Sequence, residues 1–218
     1  MSNIQIIDNR NILPQQQNIV KEIYKLRHDV FVDELKWVVA SQDKLETDKY
    51  DEKPLLYVAH INDDGKTLDG CFRIKPTSGS YMLEDDFNIL APNATLPKSD
   101  DIWEVSRFAI NKKLDLQTTR SVVSSLLIAM WRIGRSLNIT DYVCVTEIKF
   151  ERILRQAGLY TRRYGPPRDF GDCRAVAGIA PINDEVIARM EARAAKYQAK
   201  QASIVFSTQS AREVEYVY

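Results

Sequence analysis

Glu104 and Arg107 stand inside WEVSRFAI (103–110), a segment whose Trp, Val, Phe and Ile otherwise read as a buried strand. A charge in such a place is expensive unless it is paired, so each of the two predicts a partner or a polar cavity. In a regular strand Glu104, Ser106 and Phe108 share one face, and Trp103, Val105 and Arg107 share the other. A bulge near Ser106 would bring Glu104 and Arg107 toward one cleft. Without it the two charges serve different sites, or a structural ion pair. Arg73, in GCFRIKP, raises the same burial question in a second strand. ETDKYD holds Asp48 and Asp51 three apart in a loop that Pro54 ends. They are either solvated loop acids or two carboxylates converging on a cation, as would suit an ammonium or sulfonium without a metal. Arg27 follows Ile23 by one helical turn, with Phe31 four residues further on and Trp37 beyond. Either Arg27 snorkels over a core, or an arginine and two aromatics line a pocket.

Several other chemistries are excluded. His28 and His60 are the only histidines, and His60 sits in a strand pattern that makes it structural. No HExxH, Cys/His cluster or EF-hand loop is present, so no metal is expected. There is no GxSxG elbow, GxGxxG fingerprint or GxxxxGK[ST] loop. Cys71, Cys144 and Cys173 are scattered and read as free thiols of a cytoplasmic protein. No run of 18 apolar residues occurs, and the N-terminus lacks the pattern of a signal peptide. A net charge of zero over 218 residues argues against nucleic acid as a partner. The charge is unevenly spread, however. Residues 29–52 carry eight acids against three lysines, and residues 147–168 carry six basic residues against two acids.

The elements that must position these groups follow from periodicity. Ile19, Ile23, Leu26 and Val30 form a helix stripe. LLYVAHI (55–61) and GCFRIKP (70–76) flank the turn signal Asp64-Gly65 and read as an antiparallel hairpin. Residues 77–101 look irregular, 117–137 read as a long helix, and YVCVT (142–146) as a strand. EIKFERILRQAG reads as a helix stopped by Gly158. LYTRRYG and CRAVAGIA read as strands, and the stretch from Asn183 as a capped helix. A hairpin plus a helical crossover between strands predicts a mixed sheet covered on both faces, an α/β layer fold in a single domain spanning 1–218, with no structure assigned to the tail from 203.

Taken in order, Arg27, Phe31 and Trp37, then E-x-D-x-Y-D (46–51), G-C-x-R (70–73), Y-M-L (81–83) and E-x-S-R-F (104–108), resemble the acyl-homoserine lactone synthases, the autoinducer synthases of bacterial quorum sensing. The resemblance spans about residues 20–182, and VCVTEIKFERILRQAGLYTRRYG is similar to the corresponding region of that family. One departure is Lys44, where many members carry Gly, and it bears on the shape of that loop. The resemblance implies an acetyltransferase-like three-layer fold, a twisted mixed sheet between helices with a V-shaped cleft. It also implies a two-part reaction. The amine of S-adenosylmethionine attacks an acyl thioester, and the methionine carboxylate then closes a lactone and expels methylthioadenosine.

On that basis S-adenosylmethionine is a substrate and no cofactor is bound permanently. Glu104 is the candidate base, and Ser106 and Arg107 complete the catalytic set. Arg27, Phe31, Trp37, Asp48, Asp51 and Arg73 are the candidate S-adenosylmethionine and cleft residues, with Asp48 at the cationic end of the ligand. Arg73 and Arg107 either hold carboxylates ionised or contact the donor's pantetheine arm. Thr146 matches a position linked to 3-oxo-acyl chains. The donor implied is acyl-acyl carrier protein, or acyl-coenzyme A in some relatives. Lys149, Arg152, Arg155, Arg162 and Arg163 form the candidate docking patch for it. The alternatives are an N-acyltransferase of the same fold acting on another amine, and a non-catalytic small-molecule sensor.

Overall fold

A computed structural model describes residues 3–52, 54–62, 65–170 and 173–196. The elements in chain order are β1 (Ile4–Asp8), α1 (Gln17–Arg27), β2 (Ser41–Gln42), β3 (Leu45–Glu46), β4 (Leu56–Ile61), β5 (Leu68–Pro76) and α2 (Met82–Asp85). Then come β6 (Ile102–Ile110), α3 (Leu116–Ser136), β7 (Asp141–Glu147), α4 (Ile148–Ala157), β8 (Arg162–Arg163), β9 (Arg168–Phe170) and β10 (Cys173–Pro181). A final helix follows over residues 184–196. The rest of the predicted last helix, the tail from 203 and Asp64 of the hairpin turn lie outside the described residues.

One eight-stranded mixed sheet organises the chain in the order β1-β4-β5-β6-β7-β10-β8, with β9 also pairing β10. The β6–β7 pair is parallel, joined through α3, and its described neighbours in the sheet are antiparallel. The hairpin, the crossover and the mixed sheet are as expected. One face packs against α3, α4 and the final helix, with Val58, Phe72, Ile74, Val105 and Tyr142 meeting Leu126, Met130, Trp131, Leu154 and Met190. The other face carries two separate cores. α1 covers the β4–β5 half through Val20, Ile23, Leu26, Tyr57 and Ala59. The stretch from Tyr81 to Leu96 covers the β7–β10 half through Tyr81, Leu83, Leu90, Val143 and Ala177.

Local signals explain the ends. Gly158 takes φ +101° and stops α4. Asn183 Oδ1 accepts from the Val186 backbone N–H at 2.9 Å and caps the final helix. β1 went unpredicted because it is a five-residue edge strand with exposed Ile6, too short to set up a period. The strand expected over LYTRRYG shrinks to Arg162–Arg163. α1 does not run on as an α-helix. Over His28–Glu34 it widens into a π-helix, a form that recurs at functional sites.

Two irregularities position the site. The β6–β7 ladder runs only from Ile102↔Asp141 to Val105↔Cys144, and beyond it the strands part. β6 continues with β5, β7 continues with β10, and a V opens between them. Where the ladder ends, β6 bulges. Cys71 opposes Ala109 but Arg73 opposes Ser106, so β6 holds one extra residue there. Arg107 absorbs it at φ +54°, a left-handed conformation rarely taken by a residue of this kind.

Candidate active site

The bulge resolves the burial problem of β6. Trp103, Val105, Phe108 and Ile110 face α3, while Glu104, Ser106, Arg107 and Ala109 face the opposite side, so Ser106 and Arg107 are consecutive on one face. Arg73 projects from β5 beside them, its Nε donating to Ser106 Oγ at 3.1 Å.

Asp48 and Asp51 are brought to this face by a 3₁₀ turn that they cap reciprocally. Asp48 Oδ1 accepts from Tyr50 N at 2.9 Å, and Asp51 Oδ2 accepts from Asp48 N at 2.8 Å. Their spacing of three therefore serves the turn first. The cations on which they converge are the protein's own. Arg73 reaches Asp48 at 2.6 Å and Asp51 at 2.8 Å, Arg27 reaches Asp51 at 2.8 Å, and Arg107 reaches Asp48 at 2.8 Å. Glu46, with no exposed surface, joins Arg27 at 2.5 Å to Arg107 at 2.9 Å. Three guanidinium groups and three carboxylates thus form a charge-balanced floor. Burial alone would raise the pKa of Asp51, but Arg27 and Arg73 outweigh it and hold this carboxyl well below the usual range. Asp48 is lowered in the same way, with Arg73 and Arg107 overcoming burial. The arginines thus hold Asp48 and Asp51 ionised.

Two of the expected cleft residues are held by this network. Arg27 is buried and bound to Glu46 and Asp51. Asp48 is engaged by Arg73 and Arg107, with Arg27 at 3.7 Å. Phe31 and Trp37 do border the floor. Their rings stack at 5.0 Å, Trp37 N donates to Phe31 O at 2.8 Å, and Phe31 lies 5.4 Å under the Arg107 guanidinium. Phe31 is buried and Trp37 is 37% exposed, so the indole is the part a ligand can meet.

Glu104 stands apart from the floor. It is buried and joins no ion pair among the described residues. Its two oxygens accept backbone N–H groups instead, from Met82 at 3.0 Å and Leu83 at 2.7 Å. Burial pushes its carboxyl up to about 7, against the pull of those two hydrogen bonds and of Arg73. A carboxyl poised near neutrality is suited to taking a proton at physiological pH.

A match to the autoinducer synthase family covers residues 11–190. The chain belongs to the autoinducer synthases. It is 35% identical over 167 residues to an acyl-homoserine-lactone synthase of Aliivibrio fischeri strain ES114, an alignment covering 75% of this chain and 86% of the relative. The crystal structure of the AHL synthase LasI superposes with a TM-score of 0.75 at 31% identity, over 86% of this chain and 93% of LasI. TofI in a ternary complex with an inhibitor and MTA gives 0.74 at 28% identity, over 86% and 96%. An acyl-CoA N-acyltransferase from Pseudomonas aeruginosa gives 0.55 at 11% identity, over 81% and 97%, which supports the acetyltransferase-like fold alone. The synthase is accordingly an enzyme, a transferase.

Other expected residues of the synthase lie elsewhere. Thr146 is half-buried on the part of β7 beyond the parallel ladder, where the strand borders the V. Lys149, Arg152, Arg155, Arg162 and Arg163 are exposed on α4 and β8. Arg163 is already bound to the buried Glu151, at 2.5 Å, and Arg155 lies 3.9 Å from the same carboxylate. The part of the patch free of this acid is Lys149, Arg152 and Arg162. No group of three His, Cys, Asp or Glu residues suited to a metal occurs among the described residues. No helix among them is long and apolar enough to cross a membrane.

Three sets of groups that contact the candidate site residues went unpredicted. Glu46 lay within the E-x-D-x-Y-D block, and its position there was the available signal. The Met82 and Leu83 N–H groups lay in the Y-M-L block, but no side-chain pattern announces a backbone donor. Tyr57, whose hydroxyl donates to Asp51 at 2.9 Å and pairs with Tyr24, looked like an ordinary strand residue.

Proposed function

We propose that the synthase makes N-acyl-homoserine lactones from S-adenosylmethionine and an acyl thioester. The observation that carries this reading is Glu104: a buried carboxyl in no ion pair among the described residues, raised to about 7, beside a charge-balanced floor. An α-ammonium of pKa ~8 must lose a proton to attack a thioester, and a carboxylate of this basicity takes it directly or through water. The new C–N bond forms as the C–S bond of the thioester breaks, and the thiol leaves. The substrate carboxylate then attacks its own γ-carbon. The sulfonium is already a good leaving group, so this second step asks for positioning rather than acid catalysis.

In this reading the floor sets geometry. Arg27, Glu46 and Asp51 fix the loop, and Arg73 and Arg107 hold Asp48 ionised. Asp48 contributes a negative field near the sulfonium rather than a direct ion pair. Trp37, backed by Phe31, offers its ring face to the sulfonium, a contact worth ~0.5–2 kcal/mol. Ser106 is positioned by Arg73 to hydrogen-bond the thioester or the amine. Thr146, on the V, meets the 3-position of the acyl chain. The donor is acyl-acyl carrier protein, an acidic partner that meets Lys149, Arg152 and Arg162.

The test is to incubate the protein with S-adenosylmethionine and carrier-bound or coenzyme A-bound acyl donors of several lengths. Mass spectrometry should detect the acyl-homoserine lactone and methylthioadenosine in equal amounts. An acylated product without methylthioadenosine would favour an N-acyltransferase acting on another amine.

A further inference from the structure

Lys75 is a buried charge on the same face that the reaction above leaves unused. It follows Arg73 by two residues on β5 and therefore shares its face, and the β5–β6 register sets it opposite Glu104. Cβ atoms of directly opposed residues on antiparallel strands lie ~5 Å apart. Lys75 is only 6% exposed, yet its ammonium has one neutral acceptor, the Glu52 carbonyl at 3.1 Å. Among the described residues it joins no ion pair, whereas Arg27, Arg73 and Arg107 each hold at least two carboxylates. An ammonium has three donors, and burying one without a counter-ion is unfavourable. Burial, and then the charge of Arg73, lower its pKa, with Glu52, Asp48 and Glu104 opposing. Lys75 is thus a buried ammonium on the site face whose donors outnumber the one acceptor that Glu52 offers.

We infer that Lys75 binds the α-carboxylate of the substrate while Glu104 receives its α-ammonium. The zwitterionic end of the amino acid is then recognised by an amine and an acid facing each other across two strands. This assignment rests on the S-adenosylmethionine reading and sharpens it. Ring closure forms the C–O bond and breaks the C–S bond at the γ-carbon, and the electron pair leaves with sulfur. The carboxylate's negative charge and the sulfonium's positive charge vanish together. Lys75 therefore stabilises the bound substrate more than the closing ring, and its contribution falls on binding rather than on turnover. The neutral lactone offers Lys75 no counter-charge, which favours its departure.

The experiment compares wild type, Lys75→Met and Lys75→Gln in direct binding of S-adenosylmethionine and of decarboxylated S-adenosylmethionine, which lacks only the carboxylate. Wild type should prefer the carboxylated ligand by on the order of tenfold to a hundredfold, the range of a charged hydrogen bond. Both variants should lose that preference while binding the decarboxylated ligand as wild type does, which also reports that they are folded. In steady state the loss should fall on KM for S-adenosylmethionine more than on kcat, and Lys75→Arg should recover part of it. Equal weakening of both ligands in both variants, or a preference that survives them, overturns the assignment and leaves the substrate reading intact. A wild type that binds neither ligand overturns both.

Discussion

Glu104 should set the pH dependence of the synthase. Its carboxyl is pushed up to about 7, and it works as a base only when ionised. Activity at low substrate should therefore rise with pH through about 7 and flatten above it. Glu104→Gln should slow lactone formation by ~10²–10⁴-fold and leave only the limb of the substrate amine, with circular dichroism unchanged. Stability should move the other way. Between the ordinary value of 4.5 and about 7 the folded protein holds a proton that the unfolded chain has lost, so this group's contribution falls as pH rises through that window. Glu104→Gln removes that penalty, and denaturant titration at pH 8 should find the variant more stable than wild type. Arg27→Met is the opposite case. It leaves Glu46 with Arg107 alone in a site with no exposed surface, and should cost ~3–5 kcal/mol, read in the same titration. At this scale the sequence marked Arg73, Glu104 and Arg107 as costly and offered Asp48, Asp51 or Glu104 as partners for the two arginines, of which the structure pairs Asp48 and Asp51 with them. Arg27 read also as a snorkelling side chain, and Asp48 and Asp51 also as solvated loop acids. That two guanidinium groups would occupy Asp48 depends on where three separate strands and a helix meet, which spacing along the chain does not encode.

The bulge in β6 shows both the reach and the limit of pattern reading at the level of elements. Strict alternation put Glu104 and Arg107 on opposite faces, and only one inserted residue reconciles them. The sequence posed that alternative, and the register between β5 and β6 decided it. The short β2–β3 hairpin offers a cleaner test. Gln42 opposes Leu45, and the two linking residues, Asp43 and Lys44, take φ +53° and +61°. This pair of left-handed residues is the setting in which Asp-Gly is favoured, and Lys44 stands where that pattern has its glycine. Lys44→Gly should stabilise the protein by roughly 0.5–1 kcal/mol without changing activity, measured by chemical denaturation and steady-state assay. The π-helix over His28–Glu34 was not legible. Its apolar spacing through Val30 continues the α-helical stripe, and the segment ends on a Trp37 N–H bond to Phe31 O and a Phe31–Trp37 ring stack that no spacing announces.

Across the whole molecule, the divergence of β6 and β7 places the proposed catalytic face at the throat of the V, with α4 and its basic residues beside the β7 arm. Charge reversal at Lys149 and Arg152 should raise KM for carrier-bound donor severalfold while sparing kcat. Arg163→Ala should do less to KM, because that guanidinium is committed to Glu151. Added salt should mimic the reversal, since exposed charges are screened within ~8–10 Å at 0.1–0.15 M. Fold class, crossover and basic patch were legible because each spans many residues and leaves a long pattern. β1 was not, because five residues at a sheet edge leave almost none, and β8 was legible as a strand but not in its two-residue length. The ionic floor has one more consequence, for the order of assembly. Its bonds join residues 19, 24, 25 and 61 positions apart, so no single hairpin or helix contains it. Each bond closes a loop whose entropy is repaid only when the surrounding cores are in place. The floor should therefore form late in folding, and refolding chains should recover secondary structure before they recover activity.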